Sequence, residues 1–452
     1  MNIIIVGCGK VGYTLVEQLG NEDHDIVVID ENPEKVQNIT DNLDAMGIVG
    51  NGINHHTLID AGIATADLLI AVTGDDEKNL LCCIIAKKTG HCKTIARVRN
   101  PIYNAETEFL KKELGLAMVI NPELAAANEL SRIFQFPSAI RVDSFAKGHV
   151  ELLHFKVGGN SPLLHMKLFN LHKTLHTRVL VCTVIRGEEV IIPNGDFEFQ
   201  ENDVVAIAAQ RHDAIDFFRQ IGIVKGRVGN AILAGGGKIA YYLAKILLAS
   251  GIRVTIIEID KDRCEFLSEQ LPKATIICGD ATDQTLLAQE GLENAQGFAA
   301  LTGLDEENIL LSLYANEVSN AKTVTKIDRI TFNSVINKLN LGSIIYPRVI
   351  TAEYILKYVR SMNNSKNSNV ETLYKLANDK AEALEFLIKE DSAVAGIPLQ
   401  ELHFRKNTLI GCIYRQGKVI LPTGQDMMMA GDSVLVVISG YRISDIKEIL
   451  ED

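Results

Sequence analysis

The sequence predicts an α/β protein that is built twice, as two tandem copies of a doubly wound parallel sheet, each followed by a small α+β domain. Three observations carry this prediction. Short β-branched runs alternate with longer helical patterns over residues 1–135, which is typical of parallel strands joined by crossover helices. A glycine-rich turn follows the first of these runs. Blocks from the first half of the chain recur in the same order in the second half.

The recurrence extends over most of the chain. The segment "IIIVGCGKVGYTL" returns as "AILAGGGKIAYYL", and the first glycines of the two segments, Gly7 and Gly235, lie 228 residues apart. Near the ends of the two copies, Pro193 and Pro422 lie 229 residues apart. Other matching blocks are "AVTGDDEKNLL" with "ALTGLDEENIL" and "EVIIPNGDFEFQENDVV" with "KVILPTGQDMMMAGDSV". Matched blocks in one order indicate a tandem duplication.

The first copy presents its β-branched runs in an order that predicts the strands of the parallel sheet. A helix is expected after the last run, because Asn121 can cap it, Pro122 suits its first turn and Glu123 suits the positive end of its dipole. The corresponding helix of the second copy is expected near Pro347. The runs are "NIIIVG", "DIVVID", "MGIVG", "LLIAVT", "TIARV" and "AMVIN".

The remainder of each copy is shorter and has a different pattern. Alternating strands such as "RVLVCTVIR" and "TLIGCIYRQ", together with a turn of proline and glycine, indicate a small α+β domain. The low-complexity stretch "SMNNSKNSN" at 361–369 is expected to be a flexible joint. We therefore predict four domains, which span residues 1–135, 136–224, 225–362 and 363–452.

The composition excludes several classes of protein. A chain of 452 residues with 47% hydrophobic and 23% charged residues is a multidomain globular protein. The formal net charge of −12 argues against a nucleic-acid partner. No apolar run is long enough to cross a bilayer, and no secretory leader is apparent. The eight cysteines form no C-x-x-C pair, so we expect reduced thiols in a cytoplasmic protein.

The first glycine turn has the context of a dinucleotide-binding, Rossmann-like turn. A strand precedes Gly7, Gly9 and Gly12, a helical pattern follows them, and Asp30 ends the second strand 18 residues after Gly12. Gly7 would permit the turn, Gly9 would let a pyrophosphate approach the backbone, and Gly12 would let helix and strand pack closely. Asp30 would accept hydrogen bonds from ribose hydroxyls, which favours NAD over NADP.

The second copy departs from this pattern at two positions. Its turn is Gly235, Gly236 and Gly237, Ala240 replaces the third spaced glycine, and Glu258 holds the acidic position. The alternative interpretation for either copy is a nucleotide fold that has lost its ligand.

Further residues are expected in the same crevices. Thr73-Gly74 and Thr302-Gly303 end the fourth strands, and ligands of doubly wound sheets lie at the carboxyl ends of strands. Arg97 ends the fifth strand and could form a fork onto phosphate oxygens, while the second copy has Lys326 there. The alternative for Arg97 is a surface cation paired with Asp75 or Asp76.

The sequence offers no catalytic partner for the nucleotide. His172 and His176 are spaced to share a helix face, but no cysteine or carboxylate nearby completes a metal shell. Cys82 and Cys83 lie in an apolar helical pattern and are expected in the core. His55 has an adjacent histidine, His56, and no counterpart in the second copy. Two nucleotide folds without such a partner indicate a sensor rather than an enzyme, with no catalytic residue and no metal site.

On these residues the chain resembles, over essentially its whole length, the TrkA family, the cytoplasmic regulatory subunits of bacterial Trk potassium uptake systems. The resemblance implies tandem RCK (KTN) domains, NAD(H) or ATP/ADP in the larger domain of each copy, and control of a Trk- or Ktr-type membrane subunit that translocates potassium. It also implies a homo-oligomer, expected to be a tetrameric ring, that is peripheral on the inner face of the cell membrane. The segments that carry the resemblance are "IIIVGCGKVG", Asp30, "AVTGDDEKNLL", "IARVRNP", "VINPELAAANEL" and the duplicated "PNGD" and "PTGQ" blocks.

The resemblance also implies the ligand-binding positions. The family has a Gly-Asp pair after the third strand. The second copy keeps this pair as Gly279-Asp280, whereas the first copy has Gly50-Asn51. We therefore expect the two sites to bind the same nucleotide with different affinities. The first site would comprise Gly7, Cys8, Gly9, Lys10, Val11, Asp30, Gly50, Asn51, Thr73, Gly74 and Arg97. The second would comprise Gly235, Gly236, Gly237, Lys238, Ile239, Glu258, Gly279, Asp280, Thr302 and Gly303.

Two other functions stay open at this point. One is an NAD-dependent oxidoreductase with an unrecognised substrate domain, and the other is a regulator of a different cation channel or antiporter. Apolar positions of the two helices at Pro122 and Pro347 would suit an oligomer interface, although a single chain could also bury them. These positions are Leu124, Leu130, Ile133, Phe134, Ile355, Tyr358, Val359 and Met362.

Overall fold

The computed structural model of the chain shows two compact units. The first unit combines Met1–Ser131 with Gly229–Leu356, and the second combines Arg132–Val228 with Lys357–Asp452. Each unit therefore contains the corresponding parts of both copies. The structure describes residues 1–22, 24–101, 103, 106–136, 139, 141–145, 149–175, 177–223, 228–329, 333–336, 338–367, 370–376, 380–443 and 445–451.

The strands of the described residues follow the duplicated sequence. They are β1 (Asn2–Val6), β2 (Asp25–Asp30), β3 (Met46–Val49), β4 (Leu68–Ala71), β5 (Lys93–Arg97), β6 (Met118–Ile120), β7 (Arg141–Phe145), β8 (Val150–Lys156), β9 (Val179–Arg186), β10 (Glu189–Ile191), β11 (Val204–Ala209), β12 (Asn230–Ala234), β13 (Arg253–Glu258), β14 (Thr275–Cys278), β15 (Gly297–Ala300), β16 (Lys322–Lys326), β17 (Ser343–Ile345), β18 (Val370–Leu376), β19 (Ala381–Leu387), β20 (Thr408–Arg415), β21 (Lys418–Ile420) and β22 (Ser433–Ser439).

The helices of the described residues fall between these strands. They are α1 (Lys10–Gly20), α2 (Pro33–Asn42), α3 (His55–Asp60), α4 (Asp76–Gly90), α5 (Thr107–Glu113), α6 (Pro122–Gln135), α7 (Leu171–Leu175), α8 (Arg211–Gln220), α9 (Lys238–Ala249), α10 (Lys261–Gln270), α11 (Gln284–Gln289), α12 (Asp305–Val318), α13 (Asn333–Ile336) and α14 (Pro347–Asn367).

The first unit holds two parallel sheets of the same topology. Among the described residues their strand orders are β3-β2-β1-β4-β5-β6 and β14-β13-β12-β15-β16-β17. Strand order reverses between β1 and β4 and between β12 and β15, and this switch point is where doubly wound sheets bind ligands. The strands are apolar on both faces, as β1 and β4 show, because helices cover the sheet on each side. The predicted fold class is confirmed.

Local sequence explains where the helices of the first copy begin. The Asn32 side chain accepts hydrogen bonds from the amides of Glu34 and Lys35, with Pro33 at the first helical position of α2. The side chain of Asn121 caps α6 by accepting from the Leu124 amide at 2.9 Å, as the sequence predicts.

The second unit holds two antiparallel sheets. Among the described residues their orders are β10-β9-β11-β8-β7 and β18-β19-β22-β20-β21. One face of each sheet packs on a core of its own copy. The opposite faces share a cluster in which Leu152 and Cys182 of the first copy meet Ala383, Cys412 and Leu435 of the second. The two small domains are therefore joined by apolar packing between their sheets.

Apolar positions of α6 and α14 are buried within this single chain. Leu130, Phe134, Ile355 and Val359 each expose 0% of their surface, and Ile133 exposes 4%. These five positions therefore face the interior of the chain, whereas the other three predicted positions, Leu124, Tyr358 and Met362, are half-buried. Helix α14 also continues to Asn367, so the stretch predicted to be a joint is helical up to that residue. Its last two residues, 368 and 369, lie outside the described residues.

Among the described residues, no helix is both long enough and apolar enough to cross a membrane.

One ion pair recurs in both small domains. The guanidinium of Arg186 donates from Nε and Nη2 to the two carboxylate oxygens of Asp203, each at 2.8 Å. Arg415 and Asp432 repeat this bidentate geometry at 2.8 and 2.6 Å. Both aspartates are buried, and each also accepts a hydrogen bond from a backbone amide three residues before it. The pair therefore ties the loop before the last strand to the middle of the sheet.

We expect Asp203→Ala to lower the free energy of unfolding by about 3 kcal/mol, because it leaves the Arg186 guanidinium without its buried partner. The exposed neighbour Glu201 provides the matched control, since Glu201→Ala should change stability by less than about 0.5 kcal/mol. Urea unfolding of the full chain measures both. Equal shifts of the two transitions would contradict the role given to the pair.

Candidate functional site

The two glycine turns require glycine at their first position. Gly7 has φ +108°, and a Cβ there would lie 2.8 Å from the backbone nitrogen of Thr73. Gly235 has φ +99°, and a Cβ there would lie 2.9 Å from the carbonyl oxygen of Leu301. The turn can pack against the end of the fourth strand only because no side chain intervenes. A Cβ on Gly9 or Gly237 would instead meet no atom within 4 Å, so open space lies before the helix N-terminus in each copy.

The acidic residue at the end of the second strand is bonded to this turn. Asp30 accepts from the amide of Cys8 at 2.7 Å and from the amide of Asn32 at 2.9 Å. Glu258 accepts in the same way from Gly236 at 2.6 Å and from Asp260 at 2.9 Å. The carboxylates thus hold the turns in shape and retain further lone pairs for a ligand.

A buried asparagine, which sequence reasoning missed, joins the fourth and fifth strands. Asn79 is fully buried, accepts from the Thr73 amide at 2.8 Å and donates to the carbonyl of Arg97 at 2.9 Å. Asn308 makes the same bonds to Thr302 and Lys326, at 2.8 and 3.0 Å. The signal was present, because both copies read Thr-Gly-x-Asp-x-x-Asn at this place.

The cation at the end of the fifth strand points into the crevice. Arg97 donates from Nη2 to the carbonyl of Thr73, and Lys326 donates from Nζ to the carbonyl of Thr302 at 2.8 Å. Burial lowers the pKa of Arg97, and the neighbouring Arg99 acts in the same direction. Among the described residues Arg97 forms no ion pair with Asp75 or Asp76, and Asp76 pairs instead with Arg99 at 3.6 Å.

The predicted residues of the first copy line a cavity of about 660 Å³ at the carboxyl ends of the strands. Cys8 is the exception, because its amide is bonded to Asp30 and its side chain is buried. Burial raises the pKa of the Cys8 thiol to about 12. The lining residues that the sequence predicted are Gly7, Gly9, Lys10, Val11, Asp30, Gly50, Asn51, Thr73, Gly74 and Arg97.

The second copy forms a cavity of about 650 Å³ in the same position. Gly236, the counterpart of Cys8, does not line it. The predicted residues that do are Gly235, Gly237, Lys238, Ile239, Glu258, Gly279, Asp280, Thr302 and Gly303.

The two cavities share a wall, formed by Pro122, Glu123, Asp328 and Pro347, which line both. Asp328 lies 4.0 Å from Lys10 of the first glycine turn and 3.4 Å from Lys326 of its own copy. These contacts place a residue of each copy in the cavity of the other.

Glu123 lies in this shared wall as a half-buried side chain. Its Oε2 is buried and has no hydrogen-bond partner among the described residues. Burial raises the pKa of Glu123, while Arg99, Lys238 and Arg97 partly oppose that rise. Next to it, Asn121 donates from Nδ2 to the Tyr242 hydroxyl at 3.1 Å, which joins the two copies.

From sequence alone, Glu123 is expected only to complement the helix dipole, and Asp328 has no expected role. The signal for the shared wall lies in the alignment of the two copies, where Arg99 corresponds to Asp328 and Glu123 corresponds to Arg348. Opposite charges at matching positions are expected where two copies of one fold face each other.

Where the structure describes them, the other candidates from the sequence form no second site. His172 bonds to the Thr177 carbonyl at 3.0 Å, His55 bonds to Thr89 at 3.2 Å, and His176 lies outside the described residues. Cys82 and Cys83 are buried at 1% and 0% exposure. Within the described part of the chain no three histidines, cysteines or carboxylates are grouped to hold a metal ion.

We expect Glu123→Gln to stabilise the chain at about pH 8 and to change little near pH 5. The raised pKa means that the folded state holds the Glu123 proton more tightly than the unfolded state. The free energy of unfolding therefore falls as pH rises from the ordinary glutamate range through this raised pKa, and glutamine removes that loss. Thermal unfolding across pH measures it, with exposed Glu265→Gln as control. A stability difference independent of pH would contradict this account.

Comparison with known proteins identifies the domains. The TrkA-N domain family matches residues 3–122 and 231–347, and the TrkA-C domain family matches residues 152–222 and 383–451. The Trk system potassium uptake protein TrkA homolog 1 of Methanosarcina mazei is 31% identical over 456 residues, which cover 99% of each chain. The Trk system potassium uptake protein TrkA of Halomonas elongata is 30% identical, over 100% of this chain and 99% of the relative.

Solved structures share the fold. The GsuK channel bound to NAD superposes with a TM-score of 0.63 at 17% identity, over 97% of this chain and 76% of the channel chain. The GsuK RCK domain gives a TM-score of 0.62 at 16% identity, over 97% of this chain and 92% of the domain. With two TrkA-N domains, two TrkA-C domains and relatives that match it from end to end, this chain belongs to the TrkA family of Trk system potassium uptake proteins.

Proposed function

We propose that this chain is a nucleotide-sensing regulatory subunit of a potassium transport system. It binds NAD(H) or ATP/ADP in the two cavities of its first unit and controls a membrane subunit that translocates potassium. The observation that carries the proposal is the pair of open helix N-termini, each facing a cavity large enough for a nucleotide and bordered by a carboxylate and a cation. Family membership supports potassium as the transported ion.

Each part of the cavity suits a part of a nucleotide. The space in front of Gly9 and the free N–H groups at the start of α1 suit a pyrophosphate, which the helix dipole stabilises. Asp30 suits ribose hydroxyls, and Arg97 is placed to meet the more distant phosphate oxygens. The family resemblance supports three further parts of the proposal, namely the membrane partner, the ring of several copies and a position beneath the membrane.

An NAD-dependent oxidoreductase is the second candidate function. Glu123 favours it, because a carboxyl with a raised pKa beside a nucleotide cavity is suited to proton transfer. Cys82, the thiol in the same cavity, is unsuited as a nucleophile, because burial raises its pKa to about 12. We expect no turnover, since Glu123 lies in the wall between two nucleotide cavities rather than in a separate substrate domain.

A regulator without catalysis acts only through differential affinity for two states of its assembly. Moving a partner from about 1:99 to 99:1 requires roughly 5.5 kcal/mol of differential affinity. One site with a coupling of about 1–3 kcal/mol falls short of this value. Several sites on one oligomer supply it together, which gives the duplication a physical purpose.

We expect Gly9→Val to abolish nucleotide binding in the first cavity while leaving stability unchanged. Gly9 has φ −76° and ψ −171°, which valine accepts, and a Cβ there would meet no protein atom within 4 Å. The valine side chain would occupy the space of the pyrophosphate. Calorimetric titration of the full chain with ADP and NADH measures the loss of one site.

Gly158→Val is the matched control for this experiment, because Gly158 is equally open and lies in the second unit. Unchanged binding by Gly9→Val would show that the turn is not the site. Steady oxidation of NADH coupled to reduction of a metabolite would instead favour the oxidoreductase.

We expect Arg97→Ala to reduce the ATP-versus-ADP difference in potassium flux at least about fivefold, and to reduce ADP binding much less. ATP brings more negative charge to the glycine turn than ADP, and Arg97 is positioned to meet it. Flux through the reconstituted membrane subunit is measured with each nucleotide, beside binding constants for the same variant. Arg97→Lys is the control, because Lys326 shows that a lysine can make the same bond to a threonine carbonyl. An unchanged flux ratio in Arg97→Ala would exclude this role.

A further inference from the structure

We infer that the two cavities differ in ligand class by charge: the first takes a polyphosphate nucleotide such as ATP, and the second takes a nucleotide of low negative charge such as oxidised NAD. This inference rests on the proposed function, because it assumes that both cavities bind nucleotides. It adds which cavity prefers which ligand.

The first observation is a set of charge reversals between matching positions. Lys78 at the start of α4 corresponds to Glu307 at the start of α12. Arg99, two residues after β5, corresponds to Asp328, two residues after β16. Each of these four residues lines the cavity of its own copy. The duplication has therefore kept the fold of the site and inverted charges around it.

The second observation is the resulting charge of each cavity. Six cations of the described residues line the first cavity, namely Lys10, Lys35, Lys78, Arg97, Arg99 and Arg348. Five carboxylates accompany them, namely Asp30, Glu31, Asp75, Glu123 and Asp328.

The second cavity has the opposite balance. Only two cations of the described residues line it, Lys238 and Lys326, against five carboxylates. These carboxylates are Glu123, Glu258, Asp280, Glu307 and Asp328. Glu123 and Asp328 belong to both cavities, so the difference does not depend on how either of them ionises.

Arg263 does not reverse this balance. Its Nε donates to the Gly236 carbonyl at 2.6 Å, and its guanidinium carbon lies 4.7 Å from the centroid of the Phe266 ring. It is held behind the glycine turn and does not line the second cavity. Adding its charge would still leave the second cavity with more carboxylates than cations.

The third observation concerns the rim. Ile259 and Leu304 line the second cavity with 69% and 53% of their surface exposed. Glu31 and Asp75 hold the matching positions of the first cavity. Exposed apolar side chains at a cavity mouth suit a flat aromatic ring rather than phosphate. The second cavity therefore suits a dinucleotide, whose second base can cover them.

The charge of each cavity decides whether it prefers ATP or oxidised NAD, because charge is the property in which these two ligands differ most. The triphosphate of ATP is strongly anionic, whereas the pyrophosphate of NAD is partly offset by the positive ring of its oxidised nicotinamide. Like charges close together in a partly desolvated cavity repel strongly, so the carboxylate-rich second cavity disfavours a triphosphate. In the first cavity the lysines and arginines attract it.

The experiment uses the full chain with one site blocked at a time. Gly237 has φ −60° and ψ −175°, and a Cβ there would meet no atom within 4 Å, as at Gly9. Gly237→Val therefore blocks the second cavity in the same way as Gly9→Val blocks the first. ATP and oxidised NAD are titrated calorimetrically into each variant with EDTA present, so that no divalent cation masks phosphate charge. We expect the ratio of ATP affinity to NAD affinity to be at least about tenfold higher in Gly237→Val than in Gly9→Val.

Salt and a charge variant give independent readouts. ATP binding to Gly237→Val should weaken with added NaCl, and residual ATP binding to Gly9→Val should not. In the Gly9→Val background, Glu307→Lys should raise ATP affinity relative to NAD affinity about tenfold, and Glu307→Gln should raise it less. Thermal unfolding of each variant confirms that it is folded.

The outcomes separate the inference from the proposed function. Equal affinity ratios in the two blocked chains, or a ratio unmoved by Glu307→Lys, would overturn the inference and leave the proposed function intact. Absence of binding by any nucleotide to the parent chain would overturn both.

Discussion

The site depends on the close approach of each glycine turn to the end of the fourth strand. A side chain at Gly7 would lie 2.8 Å from the Thr73 nitrogen, so a glycine is the condition for the whole arrangement. The Thr73 amide then donates a hydrogen bond to the Asn79 side chain. The same side chain donates to the carbonyl of Arg97 at the end of the fifth strand, which fixes the backbone that carries this arginine. The cation in turn donates to the Thr73 carbonyl. Turn, strand ends and cation form one connected network, and the second copy repeats it through Asn308 and Lys326.

The two copies keep one hydrogen-bond network while the charges around it differ. The hydrogen bonds that shape the turn are the same in both copies, because they satisfy backbone groups that any copy of this fold must satisfy. The charged residues around the turn are free of that constraint, and they diverge to opposite signs at Lys78 and Glu307 and at Arg99 and Asp328. The same divergence favours pairing of unlike copies within the first unit, since Asp328 of the second copy approaches Lys10 of the first.

The sequence was sufficient for the features that local chemistry determines. The periodicity of apolar residues located the strands, and the spacing of residues located the glycine turns and the acidic residues Asp30 and Glu258. These features could be predicted because a turn or a strand end is determined by residues that are neighbours in the sequence. Asn79 was missed because a polar residue inside a helical pattern is ordinarily exposed, and its burial follows from the packing of two strands. The shared wall was missed because Glu123 and Asp328 meet only when the copies pack together. Packing within one chain also buried Leu130 and Ile355, which the sequence left open as an oligomer face.

The shared wall has a thermodynamic consequence for any charged ligand. Glu123 and Asp328 border both cavities, so a nucleotide in one cavity changes the potential that these carboxylates present to the other. Linkage makes that effect reciprocal: whatever the first ligand does to the affinity of the second, the second does to the first. A neutral wall would leave two independent sites on one chain. Glu123 is half-buried, with Oε2 out of solvent, so its charge is screened less than that of an exposed carboxylate. A charged ligand bound in either cavity would therefore change the proton affinity of Glu123 and, through it, the affinity of the other cavity.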